Sequence, residues 1–164
     1  MADTDAKTPT GDPAELIKLV EAMREGLTTI RDLNGISDDE MDAVYSLAYD
    51  FYRTGRYDDA ETLFQFLTIF DHFNVKYWLA LGAVRQVKKD YKGAVQAYAL
   101  IVGSLDIKNV DASYYAAECF LALGDRESAR SSIAHVREYA DKKTEEGRAI
   151  LVKVLRLEKI INEG

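Results

Sequence analysis

The sequence holds two histidines, His72 and His135, and one cysteine, Cys119, as imidazole and thiol groups for a zinc site or a Cys-His pair. A zinc centre needs three or four such ligands at short, regular spacing. A nucleophilic thiolate needs a base that its neighbourhood supplies. Neither pattern occurs, and no G-x-x-x-x-G-K or G-x-G-x-x-G run offers backbone amides to a phosphate. The carboxylate runs Asp38 to Glu40 and Asp58-Asp59 each lead into a helical pattern, where negative charge complements a helix N-terminus. Catalysis, a cofactor and a metal are therefore not expected. What remains is recognition chemistry. Tyr45, Tyr49 and Tyr52 fall at i, i+4 and i+7, on one face of a helix, and each presents a large stiff ring with a hydroxyl.

Composition limits the partners of such a face. With 48% hydrophobic and 30% charged residues the chain is globular, and 164 residues suffice for one substantial core. Lys and Arg total 21 against 28 Asp and Glu, a net charge of −7, which disfavours nucleic acid. A single cysteine allows no internal disulfide. No apolar run is long enough to span a bilayer, and MADTDAKTPTGD lacks the features of a secretory leader, so a cytoplasmic location is expected.

The elements that carry the tyrosines repeat. Placing Ala60 on Ala94, about 34 residues on, also places Ala48 on Gly82, Tyr57 on Tyr91, Phe64 on Tyr98 and Leu47 on Leu81. A third copy fits with one extra residue near Asn109, bringing Gly124 onto Gly55 and Phe120 onto Phe51. The units run over about 41–74, 75–108 and 110–143. Each reads as helix, turn, helix, with turns TGRY, KKDY and LGDR; Lys89 stands where the other two have glycine. Small residues (Ala48, Gly82, Ala117) allow close helix approach, while Leu47, Phe51, Phe64, Trp78 and Tyr98 fill the space between. The length and the Trp78, Leu81, Gly82 pattern resemble the tetratricopeptide repeat. The expected fold is all-α: three such repeats in a right-handed superhelix, with an N-terminal helix and a C-terminal capping helix.

The flanks complete this organisation. Residues 1–11 are polar and aperiodic, and disorder is expected there. Residues 12–36 form an N-terminal helical segment. Asp12 is its candidate cap and Pro13 its first turn, with Leu16, Leu19, Val20 and Met23 on one side; Gly26 and Gly35 bracket a connector. Ser37 and Glu40 make a capping box for the first repeat, which places the repeats within 37–143. Residues 144–164 carry Ile150, Leu151, Val154, Leu155 and Ile161 at helical spacing, as a cap that covers the last repeat.

In the first repeat helix, Val44, Leu47, Ala48 and Phe51 form the core stripe, and the tyrosines form a second stripe. The first helix of each tetratricopeptide pair lines the concave face, so the second stripe should border a groove. Its equivalents are Leu79, Ala83 and Gln86, then Tyr114, Glu118 and Leu121. Such a surface suits an extended peptide with spaced apolar anchors. The competing reading is that the tyrosines simply pack beneath the N-terminal helix or stabilise the superhelix.

The run from Ile36 to Tyr91, above all YSLAYDFY, GRYDDAETLFQFL, FDHFN and LGAVRQ, resembles the class II chaperones of bacterial type III secretion systems. The resemblance covers about residues 26–140. It implies a bacterial cytoplasmic chaperone that binds hydrophobic translocator proteins through a P/V-x-L-x-x-P-like segment in the groove, with Tyr45, Tyr49 and Tyr52 among the binding residues. It also implies a client-free homodimer formed through the N-terminal segment, to which Leu16, Leu19, Val20 and Met23 would contribute. An adaptor bridging soluble proteins, or a regulatory partner of a transcription activator, is the alternative. The basic clamp by which other tetratricopeptide domains hold acidic chaperone tails is absent, its places being taken by Tyr45, Tyr49, Ala80, Asp111 and Tyr115.

Overall fold

The computed structural model describes residues 13–163. The expectations for residues 1–11 and for Asp12 lie outside the described residues. Helix follows helix: α1 (Pro13–Arg24), α2 (Ile30–Leu33), α3 (Asp38–Arg53), α4 (Tyr57–Phe70), α5 (Val75–Val87), α6 (Tyr91–Leu100), α7 (Val110–Ala122), α8 (Arg126–Tyr139) and α9 (Glu145–Glu163). Among the described residues no strand occurs.

Local chemistry sets most of these ends. Ser37 and Glu40 form the expected capping box at α3, and Thr29 with Asp32 forms a second one at α2. Asn74, Asp90, Asn109 and Asp125 each turn a side-chain oxygen onto a first-turn amide of α5, α6, α7 and α8. Between helices of a pair, Gly55 and Gly124 take φ +80° and +78°, and Lys89 adopts the same left-handed conformation at φ 65°. A side chain there costs energy that glycine does not. Lys89→Gly is therefore expected to raise stability by about 0.5–1 kcal/mol, read as a higher denaturant midpoint at unchanged m-value.

Helices α3–α4, α5–α6 and α7–α8 form three hairpins stacked in order. Ala48, Ala60, Phe64 and Leu81 lie in the first core cluster and Ala94, Tyr98 and Ala112 in the second. The extra residue needed by the third copy is taken up before the Asn109 turn. Ile101–Leu105 winds as a π-helix at the end of α6, closed by the Asp106 N–H donating to the Ile101 carbonyl at 2.7 Å. A brace ties the first two hairpins: Glu61 of α4 accepts from Arg85 Nε at 2.9 Å and Lys88 Nζ at 2.7 Å, both of the α5 end.

Two core expectations need correction. Leu47 is 47% exposed, although its counterparts Leu81 and Ala116 are buried. The first hairpin has no preceding hairpin on that side, and α1, which buries none of its residues, does not replace one. On α9 the buried row is Gly147, Ile150, Val154, Leu157 and Ile161, so Leu155 points outward at 56% exposure. This row packs on α7 and α8 and closes the last core cluster.

Candidate functional site

The first helices of the three hairpins border a groove of roughly 810 Å³. From α3 come Tyr45, Tyr49 and Tyr52, at helical spacing as read from the sequence. Their rings form a ladder, with centroids 6.5 Å apart from Tyr45 to Tyr49 and 6.4 Å from Tyr49 to Tyr52, which continues edge-on to Tyr57 at 5.8 Å. Tyr45 also meets Phe64 and Tyr77 at 5.7 and 5.9 Å. The stripe divides between two environments, and α1, which buries none of its residues, is not what covers it. Tyr45 and Tyr52 pack against the first core cluster while lining the groove, whereas Tyr49 is 47% exposed and takes no part in that cluster.

Leu79, Ala83 and Gln86 of α5 line the groove with Ala80 and Val87. On α7 the lining residues are Asp111, Tyr115, Glu118 and Ala122. Glu118 is where the repeat register put it, but Tyr114 and Leu121 are not among the lining residues. They pack toward the last core cluster, whose α9 residues cover that side of α7. With those positions engaged, the neighbouring row one residue on, Tyr115 and Ala122, turns to the groove. A repeat alignment carries no information about the capping helix, so the rotation was not readable from it.

Three further lining residues come from the second helices of the pairs, Phe64 of α4 and Tyr91 and Tyr98 of α6. Tyr98 reaches the groove because Gly82 leaves room: a Cβ on Gly82 would lie 2.3 Å from Tyr98 Cε1. The pairing of a glycine with an aromatic is the one sequence signal that could have disclosed this floor residue. Tyr98 donates its hydroxyl to Gln86 Oε1 at 3.1 Å, Gln86 Nε2 donates to Glu118 Oε2 at 3.0 Å, and the Tyr114 hydroxyl donates to Glu118 Oε1 at 2.7 Å. This relay ties the second and third hairpins at the groove wall.

Burial raises the phenol pKa of Tyr45, Tyr52, Tyr98 and Tyr115, with neighbouring charges and phenols adding to it. These rings stay neutral hydrogen-bonding groups at physiological pH. The Cys119 thiol, fully buried, is pushed up to about 12 by burial and then by Glu118, which makes it a core side chain rather than a nucleophile. His72 packs against Phe73, with ring centroids 3.9 Å apart and the rings tilted by 42°, and His135 Nδ1 lies 2.8 Å from Ser113 Oγ. Among the described residues no group of three or more His, Cys, Asp or Glu could hold a metal ion. On α1, Leu16 and Val20 are exposed and Leu19 and Met23 partly buried.

Residues 41–74 and 75–101 match the tetratricopeptide repeat family. The chain is 37% identical over 136 residues to the low calcium response locus protein H of Yersinia pestis, covering 83% of this chain and 80% of that one. It is 35% identical over 133 residues to the chaperone protein SicA of Salmonella typhimurium, covering 80% and 78%. The structure is similar to that of the Yersinia enterocolitica type III secretion chaperone SycD in complex with a peptide of the translocator YopD. That similarity has a TM-score of 0.72 and 33% identity, over 77% of this chain and 95% of that one. SycD has also been solved as a dimer.

Proposed function

The chain belongs to the class II type III secretion chaperones, the tetratricopeptide chaperones of translocator proteins, and from that premise we propose how its own residues do the work. It holds a hydrophobic translocator in the bacterial cytoplasm before export, masking apolar segments that would otherwise associate with one another or with membranes. No chemical step is required. An extended client segment lies along the groove, its apolar anchors seated against Tyr45, Tyr49, Tyr52, Leu79 and Tyr115. The observation that carries this reading is the tyrosine ladder beside an open groove, with Tyr49 exposed. An aromatic row that stays partly exposed along a groove suits an interaction surface. Client-free, the chain pairs with a second copy through α1, whose Leu16 and Val20 are uncovered.

Calorimetric titration of a short P-x-L-x-x-P peptide tests the groove. Apolar anchoring predicts a dissociation constant that changes less than about tenfold between low and high salt. Replacing the peptide's leucine by alanine should cost about 2 kcal/mol, the worth of a buried leucine side chain. Indifference to that leucine would overturn the reading.

A further inference from the structure

The charges bordering the groove are unevenly compensated. Near the tyrosine ladder, Lys76 Nζ lies 3.7 Å from Asp42 Oδ1 and 3.8 Å from the centre of the Tyr45 ring. At the opposite end the situation is reversed. Glu118 is held in the wall by two neutral donors, Gln86 and Tyr114, one on each oxygen. Asp111 stands two turns away on the same face of α7 with Tyr115 between them. Neither carboxylate forms a salt bridge among the described residues. Their field is felt locally: after burial, Asp111 and Glu118 are the next causes that raise the Tyr115 hydroxyl pKa.

Lys153 and Arg156 of α9 act on Tyr114 but make no ion pair with Glu118. An apolar client that desolvates this end of the groove therefore leaves the carboxylate without a direct cationic partner, an arrangement that costs energy unless the client supplies one. Fixing the carboxylate through Gln86 and Tyr114 removes the entropy of holding it in place, so a cation gains more from meeting it. The rings of Tyr98 and Tyr115, tilted by 31° with centroids 5.7 Å apart, offer an apolar bed for the stem of a long cationic side chain. We propose that Glu118, assisted by Asp111, is a specificity-determining residue that selects client segments carrying a lysine or arginine beside their apolar anchors. This rests on the groove being the client site. Two roles divide the groove: the tyrosine end supplies affinity, and the third hairpin reads charge.

The test is a peptide scan. The reference is a short P-x-L-x-x-P peptide with norleucine at its variable positions; lysine, and separately glutamate, is then placed at each of those positions in turn. With the wild-type chain, lysine at one position should tighten binding at least about fivefold over norleucine, as one partly desolvated ion pair allows, and glutamate there should weaken it. In Glu118→Gln the lysine-to-norleucine ratio should fall to near one, and in Asp111→Asn it should fall partway. Taking the ratio within each variant cancels any general change in fold or affinity, and the wild-type scan needs no variant at all. If the norleucine peptide does not bind the wild-type chain, the groove reading itself fails. Should that peptide bind while the lysine scan is flat, or while the ratio survives both substitutions, charge selection alone is overturned.

Discussion

Tyr49→Ala is expected to weaken client binding by more than about tenfold, as loss of a central aromatic anchor does, with a shift in unfolding free energy within about 0.5 kcal/mol, the range of an exposed site. The reason is positional. Tyr49 is 47% exposed in the middle of the ladder, touching Tyr45 on one side and Tyr52 on the other. Tyr45→Ala should behave differently, because that ring also packs on Phe64 and Tyr77 and lies beneath the Lys76 ammonium. Its loss should cost about 1–3 kcal/mol of stability as well as affinity, less than a fully buried aromatic. Denaturant unfolding and calorimetric titration of both variants separate the two effects. Unchanged client affinity in Tyr49→Ala would mean that the ladder is not the binding wall.

The second large effect is expected at Gly82. Gly82→Ala would bring a methyl group to 2.3, 2.6 and 2.9 Å from Tyr98 Cε1, Cζ and Cδ1. Tyr98 is 1% exposed, packed in the second core cluster and tied by its hydroxyl to Gln86, so a shift of the ring toward the groove breaks existing contacts. Either α5 separates from α6 or the Tyr98 ring tilts, and overpacking of this kind costs about 1–3 kcal/mol. Since the same ring forms the groove floor and donates to Gln86, client affinity should fall together with stability. Gly103→Ala, where an added Cβ meets nothing within 4 Å, is the control and should keep both properties. Equal midpoints for Gly82→Ala and wild type in guanidinium would show that the ring can yield.

Much of this arrangement is written in short-range patterns. Ser37 with Glu40 marks the start of α3, and Gly55 and Gly124 mark turns through a backbone conformation that disfavours other residues. The small residues at 48, 82 and 117 mark where helices approach closely, and Tyr45, Tyr49 and Tyr52 announce a second face on α3. Each of these signals acts within one helix or one turn, so the sequence alone suffices to read the all-α repeat fold and the first wall of the groove.

Which way the last wall faces is a different matter. Tyr114 and Leu121 have the spacing for the groove, but the buried row of α9 engages that side of α7, and Tyr115 and Ala122 turn inward instead. Leu47 has a core pattern and stays half exposed because no hairpin precedes its own. Tyr98 becomes the groove floor only because Gly82, on another helix, has no side chain. Composition and periodicity determined which faces of each helix are apolar. Only the tertiary structure decided which of those faces are covered, because burial depends on neighbours far away in the chain that compete for the same surface.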